Sequence, residues 1–287
     1  MSSAPSTDGE SPRPSGAGKR QRLAAWLHGN GIEIGALHRP LKVPRTAHVT
    51  YVDRLPQEVL RAHYSDLNFD DFAPVEVLGS AEDLSAFADG TLDFVIASHL
   101  LEHLEDPIQA LAEFHRVLRR DGVVYLALPD PRLTFDRNRQ LTQLQHLLDE
   151  HRHGPAANRR AHFLDWAIHI DKDPQPELRA QFLDEMDYSI HFHVWRPDGF
   201  LEFLQAAKQE ARLEFELAAY APPEAADDNE FILILLKGDS AELRLPKNRV
   251  PRVQGASPWQ AVRSRVKESP VGPLVRPIYR LVRGRFR

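Results

Sequence analysis

The chain contains no cysteine. Disulfides, thiolate nucleophiles and zinc sites built on Cys are therefore excluded, and the expected setting is cytoplasmic. Long apolar runs are also missing. Nothing approaches the ~18 residues of a membrane span, and residues 1–22 hold no apolar segment of the kind that directs secretion. Glycine is scarce where a dinucleotide site needs it. Gly31 and Gly35 flank Glu33 without the third glycine of a pyrophosphate cradle, and Pro40 and Pro44 interrupt any helix that would face one. An NAD-type oxidoreductase is disfavoured on that ground.

What is present is an acidic body with a basic tail. Residues 239–287 carry twelve Lys/Arg against Asp239, Glu242 and Glu268, a surplus of nine positive charges. Because the whole chain is at −5, residues 1–238 stand at −14. Nucleic-acid enzymes usually present a basic face around the cleft, so no nucleic-acid partner is expected. The 287 residues, 42% of them hydrophobic, suffice for one sizeable core.

Patterning divides the chain. Residues 1–20, rich in Ser, Pro and Gly, are expected to lack structure, and a short amphipathic helix is expected over Leu23–Leu27. Short apolar runs then alternate with helical patterns. Strands are expected at Gly31–Ile34, Val49–Val52, Val75–Leu78, Leu92–Ala97 and Val123–Leu128, with helices at Gln57–His63 and from Asp106-Pro107 to Asp121-Gly122. This alternation predicts an α/β fold, doubly wound around a mostly parallel sheet. Residues 130–188 show only helical patterns and read as an insertion after strand five, overhanging the carboxyl edge where ligands bind. The core is expected to resume with a strand at Ile190–Trp195 and a helix at Asp198–Ala207. An antiparallel hairpin then pairs Glu214–Tyr220 with Glu230–Leu236.

Glu33-Ile34-Gly35 followed twenty residues later by Asp53, at the end of the next strand, marks a nucleoside-type pocket. Further on come Gly79-Ser-Ala-Glu-Asp-Leu84, Leu92–Ser98, Leu101-Glu-His-Leu104 and Glu113–Gly122. This succession resembles class I S-adenosylmethionine-dependent methyltransferases of the type 11 group, densely over about residues 23–129 and loosely over 190–237. The resemblance implies a seven-stranded, Rossmann-like methyltransferase sheet over residues 21–238, with S-adenosylmethionine as cofactor. It places the cofactor against Glu33, Gly35, Ala36, Asp53, Arg54, Ala81, Glu82, Ser98 and His99, the last two facing the methionine end. Two positions depart from the family pattern. Leu37 stands at the second glycine of E-x-G-x-G, and Ser80 stands where an acid often reads the adenine. The segment Ala36–Pro44 is expected to replace the family's first helix by an irregular loop.

Candidate catalytic residues are His191, His193 and His103. If Ser189–Trp195 is a strand, His191 and His193 share a face at the pocket rim. They can be read as substrate or general-base histidines, as metal ligands, or as packing residues. A metal would need a further carboxylate such as Asp136, and nothing in the spacing requires one, so no metal site is expected. Glu33 can equally hold its loop through backbone hydrogen bonds, and His103 can be structural. The polar run Asp130–Asn138 is the other source of substrate contacts.

The tail at 239–287 interleaves Arg and Lys with Trp259, Tyr279, Phe286 and aliphatic residues, broken by prolines. It reads either as an interfacial segment on anionic lipid at the inner face of a membrane or as a flexible or oligomerisation arm. Motif one, the Thr134-Phe135-Asp136 loop and the basic tail together resemble bacterial methyltransferases associated with glycan assembly. That resemblance implies O-methylation of a sugar hydroxyl on a glycan or glycolipid, or of another small molecule, with glycosyltransferases as partners. The alternative is a non-catalytic module of the same fold that recruits glycan-assembly enzymes.

Overall fold

The apolar runs become strands β1 (Gly29–Ile34), β2 (Ala47–Asp53), β3 (Val77–Leu78), β4 (Leu92–Ser98), β5 (Leu118–Pro129), β6 (Phe215–Ala221) and β7 (Glu230–Lys237) in a computed structural model. It describes residues 15–64, 72–225 and 227–238; the expectations for residues 1–14 and for the basic tail fall outside these. The strands form one sheet in the order β3-β2-β1-β4-β5-β7-β6. The first five pair in parallel, and β7 joins β5 and β6 antiparallel. Strand order reverses beside β1, so the crevice past the carboxyl ends of β1 and β4 is the switch point at which such sheets bind ligands.

The helices are α1 (Ser15–Ala24), α2 (Gln57–His63), α3 (Pro107–Val117), α4 (Leu144–His153), α5 (Ala156–Trp166), α6 (Pro176–Glu185) and α7 (Pro197–Glu210). Asp106 caps α3 by accepting from the Ile108 and Gln109 amides, and Pro107 starts it without a missing donor. Its Ile108, Leu111 and Phe114 pack with Phe200, Phe203 and Leu204 of α7 on one sheet face. The opposite face is closed by Ala24, Leu27 and Leu41. No helix lies between β1 and β2, where the prolines stand.

Gly31 lies within β1 rather than in a turn, and its lack of a side chain is a packing requirement. A Cβ there would sit 2.3 Å from the Phe94 ring.

Two expectations are corrected beyond shifts of element bounds, in which α1 ends at Ala24 rather than covering Leu23–Leu27 and α3 ends at Val117, where β5 begins, rather than at Asp121-Gly122. Residues 15–20 are helical, because α1 brings two cations to buried carboxylates. Lys19 Nζ donates to both oxygens of Asp228 (2.7 and 2.6 Å) and to the Glu230 carbonyl (2.7 Å), while Arg20 grips the Glu230 carboxylate. The second correction concerns Ile190–Trp195, which is extended but joins no strand. Its amides bond elsewhere: Phe192 N–H donates to the Glu102 carbonyl (2.7 Å) and Val194 N–H to Thr142 Oγ1 (2.9 Å). It packs against a small separate core built from Phe163 and Trp166 of α5 and Ala180 and Leu183 of α6.

Lys19 and Asp228 are both buried, so removing one partner strands a charge. Lys19→Ala should lower stability by about 3 kcal/mol, the low end of the cost of breaking a buried pair, measured as a fall in the urea midpoint. A loss below about 1 kcal/mol, the level of an exposed pair, would contradict a role for α1 in closing the sheet.

Candidate active site

Chain turns at the carboxyl edge bring the predicted cofactor residues to neighbouring strand ends. Gly35 follows β1 at φ +69°, a conformation that strains an L side chain, and its amide donates to the Val52 carbonyl at 2.9 Å. Leu37, at the position of the second family glycine, holds φ +48°. The left-handed turn is thus kept without the glycine. Ala36, between them, is half-buried.

Asp53 ends β2 almost buried. Its Oδ1 accepts from the Leu55 amide at 3.1 Å, and burial raises its pKa against that hydrogen bond. The Gly79 amide donates to the Asp53 carbonyl (3.0 Å), which draws the 79–84 loop alongside with Ala81 buried in it. Ser98 closes β4 and is partly exposed. Gly35, Asp53, Ala81 and Ser98 therefore stand at the ends of β1 to β4.

Other predicted cofactor residues have structural partners. Both oxygens of the buried Glu33 carboxylate accept from the Leu41 amide (3.0 and 3.1 Å), so Glu33 holds the proline loop, and burial pushes its pKa up to about 7. Glu82 turns to the Asp106 amide at 2.8 Å. Arg54 is exposed and pairs with Asp187 at 2.6 Å. His99, at φ +51°, sits between Glu102 Oε1 (3.5 Å from Nδ1) and Glu230 Oε2 (2.9 Å from Nε2). Burial lowers its pKa, and the bonds and charges of the two carboxylates outweigh that, lifting it to about 9.

The histidines do not share one face. His191 Nδ1 bonds Asp136 Oδ2 at 2.7 Å, and Arg139 Nη1 donates to the other carboxylate oxygen at 2.9 Å. Asp136 is itself placed by Thr134, whose hydroxyl accepts from the Asp136 amide. His103 Nδ1 donates to the Ile190 carbonyl (2.8 Å), and its ring meets that of His191 edge-on at 4.6 Å. Burial, then the neighbouring His191, depress the His103 pKa to about 4. His193 instead faces Glu150 of α4 and His162 of α5. Because the segment is not a strand, two-residue alternation does not govern it.

Sequence reasoning missed Glu102, Glu230 and Glu150. Glu102 lies inside the Leu-Glu-His-Leu motif, where a buried acid was open to notice. Glu150 lies four residues after His146, one helical turn, and that spacing was its available signal.

A family model for methyltransferase domains matches residues 29–126. These residues are a class I methyltransferase domain, and its cofactor is S-adenosylmethionine. The chain is similar, at 41% identity over 78 residues, to a malonyl-[acyl-carrier protein] O-methyltransferase of Laribacter hongkongensis. That match takes in 27% of this chain and spans about a quarter (24%) of the relative's length. Among solved structures it is similar to the YcgJ protein of Bacillus subtilis, at 15% identity and TM-score 0.43, over 78% of this chain and 98% of that one. A second is an S-adenosylmethionine-dependent methyltransferase of Methanosarcina mazei, at 17% identity and TM-score 0.40, over 76% and 98%.

The methyltransferase domain fits this cofactor on its own geometry. A left-handed glycine turn with a shielded acid on the adjoining strand end suits a nucleoside ribose, and neither residue forms a phosphate cradle.

His99 gives a pH prediction. A folded-state pKa of about 9, against an ordinary 6.5, means that the folded protein binds the proton more tightly. The stability drawn from His99 is then fully present below about pH 6.5 and lost as pH rises through about 9. An NMR titration of the His99 imidazole should find its midpoint near 9; a midpoint near 6.5 would show that the carboxylates do not hold the proton.

Proposed function

We propose that this protein transfers a methyl group from S-adenosylmethionine to a hydroxyl of a sugar in a glycan or lipid-linked glycan, with His191 taking the hydroxyl proton. The observation that carries this reading is the His191–Asp136 pair beside the loop that follows β4. The Glu102 carboxylate of that loop lies 3.5 Å from His99 and within 4.8 Å of donor atoms of His103 and His191, so the histidine pair lies next to the end of the site that holds Ser98 and His99.

The cofactor supplies a methyl group already activated on a sulfonium. The protein's part is to align and to manage one proton. Gly35 admits backbone to the ligand, Asp53 accepts from the ribose hydroxyls, and Ala81 lies beside the adenine. With His191 Nδ1 bonded to Asp136, Nε2 is the basic nitrogen, and Asp136 stabilises the imidazolium that forms when an acceptor hydroxyl loses its proton. His103, neutral at neutral pH, buttresses that ring.

An oxygen acceptor agrees with the Laribacter hongkongensis relative, an O-methyltransferase. The sugar rather than another alcohol is supported by the resemblance to glycan-associated methyltransferases. The basic, aromatic tail favours work at the inner face of a membrane, beside glycosyltransferases.

Calorimetry should detect S-adenosylmethionine binding that weakens about 10- to 100-fold in Asp53→Ala, the range of a hydrogen bond to a charged group. If neither S-adenosylmethionine nor S-adenosylhomocysteine binds, the non-catalytic recruiting module becomes the better reading. His191→Asn should keep cofactor affinity and lower kcat by about 10²- to 10⁴-fold, the usual contribution of a general base. Labelled cofactor incubated with a host glycolipid extract should label a sugar oxygen, as read by mass spectrometry; label confined to protein, RNA or a carboxylate would overturn the sugar assignment.

A further inference from the structure

Away from the methyl-transfer site, one turn of α4, the middle of α5 and the extended segment after α6 point four side chains at one spot. His146 and Glu150 stand four residues apart on α4, one turn of helix, and so share a face. His162 comes from α5 and His193 from the segment that carries His191. One donor atom from each of the four lies within 4.8 Å of all the others.

Around Glu150 Oε1 the spacings are close to those of a coordination shell. The Nε2 atoms of His146 and His162 are 3.2 Å apart, and each approaches Glu150 Oε1, at 3.1 and 2.8 Å. His193 Nε2 is 3.7 Å from Glu150 Oε2 and donates a long hydrogen bond, 3.4 Å, to the Glu105 carbonyl, which a bound ion would replace. Four donors set tetrahedrally at about 2.0–2.1 Å from an ion lie roughly 3.3 Å from one another.

Protein hydrogen bonds alone leave this group poorly matched. Two imidazole nitrogens face each other across a distance that tolerates one proton, both crowd a single carboxylate oxygen, and the other oxygen, Glu150 Oε2, is buried with no hydrogen-bond partner. Glu150 and His193 are each 1% exposed. A cation at the centre gives Glu150 Oε2 a partner and relieves the His146–His162 contact, and the partly exposed His146 gives it a way in.

We infer that His146, Glu150, His162 and His193 bind a zinc ion that fastens α4 and α5 to the 187–196 segment. Three imidazoles and one carboxylate are a borderline donor set suited to Zn²⁺, in a chain with no thiolates to offer. With four protein ligands the shell is closed, so the ion is structural. The carboxylate completing the set is Glu150 rather than Asp136, which is bonded to His191 and Arg139. Since His193 is two residues from His191, the ion also anchors the backbone that carries the proposed base.

The test uses the untagged full-length chain, stripped with a chelator and titrated with Co²⁺ alone, then with Zn²⁺ in competition. The expected result is one equivalent of Co²⁺ with the intense visible bands of a tetrahedral complex, displaced by Zn²⁺, and a melting temperature that rises on loading and falls on stripping. Glu150→Gln and His162→Gln should weaken binding by at least about 100-fold, exceeding the 10- to 100-fold cost of losing an outer-shell partner. His153→Ala, on the same helix with its ring turned to the Asp149 carbonyl, should bind as the wild type does. Wild-type protein that takes up no stoichiometric metal, or that shows only a weak octahedral spectrum, overturns the site whether or not the variants fold. Equal loss in His153→Ala also overturns it.

Discussion

A buried carboxylate that has to be paired organises this protein. Glu230 opens β7, and its side chain is almost wholly shielded from water between Arg20 of α1 and His99 at the end of β4. An isolated carboxylate there would cost several kcal/mol. The chain meets that cost with a guanidinium from one direction and an imidazolium from the other, while the Glu230 backbone carbonyl takes Lys19. Burial works to raise the Glu230 pKa, and the Arg20 and His99 bonds overcome it and hold the acid far below its usual range. Three parts of the fold distant in sequence meet at that point: the first helix, the end of the central strand and the start of the last strand. The switch-point crevice lies next to it, so the shape of the ligand edge depends on this charge arrangement being complete.

The second constraint concerns backbone hydrogen bonds. β5 already has β4 on one side and β7 on the other, so the Ile190–Trp195 segment finds no free edge there. It runs extended against α5 and α6 and bonds to the Glu102 carbonyl and to Thr142. That detour decides the chemistry of the rim. His191 turns to Asp136, which the Thr134 turn and Arg139 have fixed, whereas His193 turns to the α4–α5 pair. One short histidine-rich segment thereby serves two different clusters. Glu102 joins the first cluster to the β4 loop, through its backbone carbonyl to the segment and through its carboxylate to His99.

The glycine shortage noted at the start has a consistent physical meaning. A ligand without a pyrophosphate needs no row of amides at a helix start, and the chain after Gly35 makes no helix there. The turn geometry nonetheless persists at Leu37, a residue type that rarely adopts positive φ. The neighbouring Glu33 pins the same loop by accepting from Leu41, so the acid of motif one shapes the pocket from behind.

The sequence by itself determined the alternation of strands and helices, the terminal antiparallel hairpin, the glycine turn and the acid at the end of β2. Those signals are local: apolar period, capping residues and the twenty-residue reach from Glu33 to Asp53 all act within one or two elements. Tertiary structure alone decided that Glu33 faces Leu41, that Lys19 and Arg20 make residues 15–20 helical, and that His191 and His193 part company. The cations and the histidines rest on partners far along the chain, Asp228 and Glu230 for the former, Asp136 and Glu150 for the latter, whereas Glu33 reaches only across its own loop. A charge or imidazole does not announce its partner in sequence. Only the packed chain brings the two into a medium where leaving either unpaired is costly.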